Sequence, residues 1–221
     1  LGFNVTQVYG LTETYGHVVE CLWNSAWDDI PKEEQSSIKA RQGVAMPMME
    51  ATTVVDKNCK QIPMDGTTQG EIVMRGNSVM KGYFKNPEAT AKAFENGYFH
   101  SEDIAVQYPD GMMQIADRMK DIIISGGENI SSIEVEGAIM GHPAVSLCAV
   151  VAKPDEKWGE VPCAFVELLP GQSTNEAEII KFVRSKLAGF KTPKQVIFQE
   201  LPKTSTGKIQ KFELRAIAKT G

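Results

Sequence analysis

The chain is poor in metal-binding and redox residues: three histidines (His17, His100, His142) and four cysteines (Cys21, Cys59, Cys148, Cys163) in 221 residues. The cysteines form no C-x-x-C pair, so the usual spacing of zinc ligands is missing. Scatter of this kind predicts buried free thiols in a reducing compartment, the cytoplasm. No uninterrupted apolar stretch approaches the ~18 residues of a membrane span, which excludes a helical transmembrane segment. Positive charge is also short, with 23 Lys and Arg against 28 Asp and Glu and a formal net charge of −5. That balance excludes nucleic-acid binding through a basic surface, so any phosphate site must be local and built from a few placed groups. Two familiar nucleotide loops are absent as well. Ser125-Gly126-Gly127-Glu128-Asn129 is not G-x-G-x-x-G, and Pro202-Lys203-Thr204-Ser205-Thr206-Gly207-Lys208 has Pro202 where a P-loop needs its first glycine and Ile209 where it needs Ser or Thr. There is no signal-peptide pattern; the opening Leu1-Gly2-Phe3-Asn4-Val5 reads as strand interior, giving the expectation of a longer parent polypeptide.

What is present suits a globular protein of one large or two modest domains. Residues 4–9 read as a strand running into a turn at Gly10, and residues 31–40 as a short polar helix with Pro31 at its first position. Between Gln42 and Arg118 short β runs alternate with turn residues. Ala51–Val55, Glu71–Met74, Ile104–Gln107 and Met112–Ala116 are the strands, Asp65-Gly66 and Asp110-Gly111 the turns, and Pro87–Glu95 a two-turn helix. This part reads as a small antiparallel sheet or barrel.

After Lys120 the pattern becomes mixed. Ile122–Ile124 is a buried strand, and Ser131-x-x-Glu134 a capping box opening a helix to about Met140. Strands follow at Ala144–Val151 and Pro162–Leu169. A second helix starts at Ser173, with Glu176 three residues on and Ile179, Ile180, Val183 and Leu187 on one face. A strand at Gln195–Phe198 and a helix from about Gln210 complete the unit. The fold class expected is α+β, a small antiparallel, barrel-like part (1–118) of a larger domain followed by a compact mixed α/β domain (119–221).

Five stretches stand in a fixed order: YGLTE (9–13), GEIVMRGNSVMKGYFKNPEAT (70–90), GYFHSED (97–103), DRMKDIIISGGE (117–128) and PKTSTGK (202–208). With them the chain resembles the C-terminal two-fifths of the adenylate-forming, AMP-binding superfamily, in its acyl-CoA synthetase branch. S-G-G-E-N followed by I-x-x-x-E-V-E favours acid–CoA ligases over peptide-synthetase domains. The run from Thr14 to Trp23 and the following W-D-D-I-P resemble medium-chain fatty acid–CoA and methylmercaptopropionate–CoA ligases.

The residue types fit that chemistry. An aromatic ring (Tyr9) can stack on adenine, a hydroxyl (Thr12) can meet a phosphate oxygen, and a carboxylate (Glu13) is a hard ligand for Mg²⁺. Asp103 can accept hydrogen bonds from both ribose hydroxyls. Glu102 stands where the family pattern, T-G-D or S-G-D, has glycine. By resemblance Arg118 contacts the nucleotide, Lys120 is the hinge of a mobile small domain, and Lys208 is the catalytic lysine. The same resemblance puts Gly126, Gly127 and Trp158 at the pantetheine channel, and His17 beside the acyl site. It implies ATP, a carboxylic acid and coenzyme A as substrates, AMP as product and Mg²⁺ as cofactor. Two other readings stay open: an adenylating enzyme that delivers to a carrier protein, and a non-catalytic nucleotide- or CoA-binding module. The family's Ser/Thr/Gly-rich phosphate loop is not among these residues, so the 221 residues alone are expected to be inactive.

Overall fold

A computed structural model describes residues 3–220. The chain divides into two compact units between Ala116 and Asp117. Of the opening run, Leu1 and Gly2 lie outside the described residues, and among the described residues no strand forms before Val8.

In the first unit, strands β1 (Val8–Leu11), β2 (Gly16–Glu20) and β3 (Val44–Ala45) form an antiparallel sheet in that order. Gly10 is therefore a strand residue and not the expected turn, which falls at Thr12–Tyr15. Glycine is required at position 10 because a Cβ there would lie 2.0 Å from the Gly16 carbonyl oxygen. Helix α1 (Lys32–Lys39) follows, with Pro31 as its cap. A second antiparallel sheet takes β4 (Met49–Val55), β5 (Gln69–Gly76), β6 (Phe99–Gln107) and β7 (Met113–Arg118) in chain order, with α2 (Pro87–Ala93) inserted before β6. β-branched and apolar side chains fill these strands, and Ile72, Val73 and Met74 of β5 are fully buried. The core joins the two sheets through Val18, Val19, Val54, Ile72, Met74, Ala105 and Met113. Of the two forms left open by the sequence, sheet and barrel, the strands take the first. Both sheets are open among the described residues.

The second unit opens with β8 (Ile123–Ser125) and β9 (Glu128–Ile130), a hairpin whose second strand the sequence did not reveal. Helix α3 (Ser132–Met140), strands β10 (Val145–Asp155) and β11 (Gly159–Leu168), helix α4 (Glu176–Arg184), strand β12 (Gln195–Phe198) and helix α5 (Lys211–Thr220) follow. The sheet order is β10-β11-β8-β9, with β12 parallel to β11. β10 and β11 alternate between two apolar faces because successive strand side chains point oppositely. Cys148, Val150, Ala164 and Val166 pack with α3 and α4, whereas Ala149, Val151, Cys163 and Phe165 pack with Leu214 and Ala218 of α5.

The helix starts show local chemistry at work. Ser131 Oγ accepts the Glu134 N–H at 3.1 Å, and the Glu134 carboxylate meets Lys191 Nζ at 2.8 and 2.7 Å. The α4 cap is Asn175, taking the Glu178 N–H at 3.0 Å, two residues beyond the expected Ser173. Asn175 wins because its amide oxygen reaches the third helical N–H as well as a hydroxyl does.

All four cysteines are free thiols, and Cys21, Cys148 and Cys163 are buried. Burial pushes the Cys148 thiol up to about 12 and the Cys163 thiol up to about 11. At pH 8 both are almost wholly protonated and unreactive. Native alkylation at that pH is expected to label Cys59 and spare Cys21, Cys148 and Cys163, as read by mass spectrometry with and without denaturant.

Candidate active site residues in each unit

In the first unit Tyr9 and Asp103 meet, while Thr12 and Glu13 stand on the turn that follows β1. Tyr9 and Asp103 are 94 residues apart in sequence, yet the tyrosine hydroxyl donates to Asp103 Oδ2 at 2.8 Å. Both are buried, Tyr9 7% and Asp103 5% exposed, so the ring packs in the core cluster while its hydroxyl fixes the carboxylate. Thr12 and Glu13 start the tight turn after β1. Thr14 Oγ1 holds that turn, accepting the Leu11 N–H at 2.9 Å and donating to the Gly16 carbonyl at 2.7 Å. The Glu13 carbonyl accepts the Met80 N–H at 2.7 Å, and its carboxylate Oε1 accepts the Tyr83 hydroxyl at 3.1 Å. Burial, then the hydrogen bond to Glu13, pushes the Tyr83 phenol above its ordinary value, so it remains the donor at neutral pH.

Asp103 lies on a bulge. Glu71 pairs with Ile104 and Val73 with His100, so Ile72 alone stands opposite Ser101, Glu102 and Asp103. Glu102, which replaces the family's glycine, sits at φ +59°, a left-handed conformation that disfavours side chains with a Cβ. Glu102→Gly is expected to raise stability by about 1 kcal/mol, allowing for the added freedom of the unfolded glycine. Urea denaturation of the two proteins measures it.

In the second unit, Lys208 is exposed beside the tip of a closed hairpin. Lys203 and Ile209 bridge its base, Thr204 N–H donates to the Lys208 carbonyl at 2.8 Å, and Lys208 N–H donates to Thr204 Oγ1 at 3.1 Å. Gly207, at φ +84°, supplies the left-handed residue that the turn needs. Lys203 Nζ anchors the loop on both oxygens of Glu167, at 2.9 and 3.2 Å, while Glu167 Oε1 also accepts the Leu201 N–H at 2.6 Å. The Leu201 N–H first, and Lys203 after it, hold the Glu167 carboxyl below its ordinary range, so the anchor is ionised at neutral pH.

Gly126, next to Gly127 in the same turn, meets Trp158. The two glycines turn the β8–β9 hairpin at φ +60° and +88°, and Gly126 N–H donates to the Trp158 carbonyl at 2.8 Å. Trp158 is 45% exposed, with Lys157 Nζ 4.7 Å from its ring centre. Lys120 is exposed and Arg118 partly buried. Both ends of their segment are tied within the unit. Buried Asp117 accepts the Ser132 N–H and, at 3.1 Å, the Ser132 hydroxyl, and Asp121 pairs with Arg215.

Two family models match. That for the AMP-binding enzyme covers residues 1–84, and that for the AMP-binding enzyme C-terminal domain covers residues 134–208. A protein named acetate–CoA ligase CCL3, from Humulus lupulus, is 56% identical over 224 residues, spanning 99% of this chain and 39% of its own length. The chain belongs to the AMP-binding enzyme family. A peroxisomal acetate/butyrate–CoA ligase, AAE7 from Arabidopsis thaliana, is 53% identical over 99% of the chain and 39% of its own length. Among solved structures, ATP-bound MatB from Rhodopseudomonas palustris matches with a TM-score of 0.85 and 32% identity, over 99% of this chain and 41% of that one. MenE from Bacillus subtilis, bound to its acyl-adenylate OSB-AMP, matches with a TM-score of 0.82 and 30% identity, over 97% of this chain and 41% of that one. The chain thus spans about two-fifths of the length of the curated relatives it matches.

Sequence reasoning passed over four residues of this AMP-binding chain that support the named ones: Glu71 and Tyr83 in the first unit, and Glu167 and Lys203 in the second. Glu71 and Lys203 stand inside the quoted motifs, and Tyr83 inside the second. Their distance in sequence from the groups they hold hid the pairing. Among the described residues no group of three or more His, Cys, Asp or Glu could cage a metal. A single carboxylate such as Glu13, with one oxygen engaged by Tyr83 and the other left for a cation, suits Mg²⁺, which keeps waters and binds substrate phosphates.

Proposed function

We propose that this chain is the nucleotide-clasping and small-domain part of an ATP-dependent, AMP-forming acid–CoA ligase. The carrying observation is the 56% and 53% identity, along nearly the whole chain, to relatives named as CoA ligases. The acids in the relatives' names are mostly short: acetate, butyrate and 2-methylpropanoate. They move the expected substrate from a medium-chain fatty acid toward a short- to medium-chain monocarboxylic acid. The four free thiols suit a reducing compartment, the cytoplasm or, as for two relatives, the peroxisome.

In the first half-reaction an oxygen of the acid attacks the α-phosphorus of ATP, and pyrophosphate leaves with the electrons of the broken P–O bond. Asp103, oriented by Tyr9, accepts the ribose hydroxyls; Thr12 meets a phosphate oxygen; Arg118 adds a cation near the nucleotide. Glu13 and substrate phosphates would hold Mg²⁺, which when bound offsets phosphate charge. The Lys208 ammonium bridges carboxylate and phosphate, a compact charge where two anions must approach.

In the second half-reaction the sulfur of coenzyme A attacks the acyl carbon and AMP leaves. The Gly126-Gly127 turn and Trp158 flank the thiol's route. Rotation at Lys120 would present the two faces of the small domain in turn. Domain closure of this kind keeps water from the adenylate.

The test uses the full-length polypeptide. ATP–pyrophosphate exchange should require a short carboxylic acid, and AMP release with thioester formation should require coenzyme A. Exchange without any thioester product would reject CoA as the acceptor.

A further inference from the structure

We propose that Glu71, on β5, is a positioning residue for ATP. It holds the bulge that aims Asp103, and so sets discrimination for the ribose hydroxyls. The inference rests on the reading of Asp103 as the ribose acceptor.

The geometry is specific. Glu71 Oε1 accepts the Glu102 N–H at 2.9 Å, and Oε2 lies 2.8 Å from His100 Nδ1. The same β5 edge holds the bulge at a third point, since the Ile72 carbonyl accepts the Ser101 hydroxyl at 2.7 Å, and Ser101 Oγ in turn accepts the Asp103 N–H at 3.1 Å. Both flanks of Asp103's turn are thereby pinned from one strand.

The pin matters because the turn is strained. A bulge re-aims a side chain only if its extra residues stay fixed. Here the extra residues include Glu102 at φ +59°, a backbone state that a non-glycine residue leaves readily. Relaxation of Glu102 would carry the adjacent Asp103 away from Tyr9 Oη, 2.8 Å from its Oδ2. With a glycine at 102 the turn would hold its shape unaided. This chain has a glutamate there, and the Glu71 carboxylate on its N–H compensates. Glu71 itself is partly buried at the edge of the bulge and needs no contact with substrate.

The experiment measures kcat/KM for ATP and for 3′-deoxyATP in the full-length enzyme by pyrophosphate exchange, and takes their ratio. Asp103→Ala is the reference and should lower the ratio by about tenfold or more, since a site built to bond a hydroxyl discriminates strongly. Glu71→Ala should lower it by about five- to tenfold, raising KM for ATP while KM for the acid stays put. Restoring glycine, as Glu71→Ala/Glu102→Gly, should bring the ratio back to within about twofold of the parent.

A parental ratio in Glu71→Ala, alongside a collapsed ratio in Asp103→Ala, overturns the positioning role alone. A parental ratio in Asp103→Ala overturns the ribose reading instead. Should Glu71→Ala fail to fold, the double variant decides. The proposal requires it to be soluble with a near-parental ratio, and any other result rejects it.

Discussion

Lys208→Ala in the full-length enzyme is expected to lower adenylate formation by about 10²–10³-fold, the usual consequence of removing one preorganised stabiliser of transition-state charge. Thioester formation from supplied acyl-adenylate is expected to proceed within about twofold of the parent rate. The asymmetry follows from the chemistry of each step. Negative charge spreads over the phosphoryl oxygens as the acid attacks, and a point charge between the two anions acts only there. Attack of the thiol on the acyl carbon makes no new bond at phosphorus, so that step has no crowded phosphoryl centre to stabilise.

The hairpin beside the lysine makes the experiment clean. Its shape comes from the Lys203–Ile209 bridge, the two Thr204–Lys208 bonds and the Lys203–Glu167 anchor, none of which uses the Lys208 ammonium. The side chain is exposed, so its loss should leave the melting temperature within about 2 °C. Equal loss of both half-reactions would falsify the division of labour. Lys208→Arg keeps the charge but replaces a compact ammonium by a planar fork, and should restore only part of the rate.

Local signals carried much of the fold. Gln195–Phe198 was readable because apolar and β-branched residues are bounded by polar ones, and β12 has those limits. The Ser131 cap and the α3 helix to Met140 were readable for a similar reason: an N-cap hydroxyl and a hydrophobic run fix both ends. Gly10 misled because a glycine after an aromatic residue reads as a turn, whereas here it admits the close approach of Gly16 on the neighbouring strand. That contact is a property of the sheet and not of the segment. Strand β9 was hidden because Glu128 and Asn129 are exposed hairpin residues, with only Ile130 turned inward.

The candidate site divides along the same line. Motif order marked Tyr9, Asp103 and Lys208, but nothing local says that Tyr9 binds Asp103 across 94 residues, or that Glu71 grips a turn about 30 residues ahead. Glu102 illustrates the cost of reading motifs by letter. The glycine is gone, yet the left-handed backbone it marks is retained, at φ +59°, under a different restraint.

Gly126→Val should produce the opposite asymmetry to Lys208→Ala. A Cβ at Gly126 would stand 2.8 Å from Trp158 Cε3, inside van der Waals contact, and at φ +60° the position already disfavours any L side chain. Valine adds branching that a left-handed residue tolerates worst. Either the indole swings away or the β8–β9 turn opens, and both displace groups proposed to flank the thiol's route. The expected result is a loss of about 10²-fold in kcat/KM for coenzyme A, the scale of a misplacement of about 1 Å, with adenylate formation within about twofold of the parent. Gly127→Ala separates strain from collision. Its φ of +88° carries strain, but a Cβ there meets nothing within 4 Å, so it should cost coenzyme A turnover much less than Gly126→Val. Comparable losses from both would assign the effect to backbone strain in the turn and remove Trp158 from the channel. A fall in adenylate formation as deep as the fall in thioester formation would remove the whole turn from it.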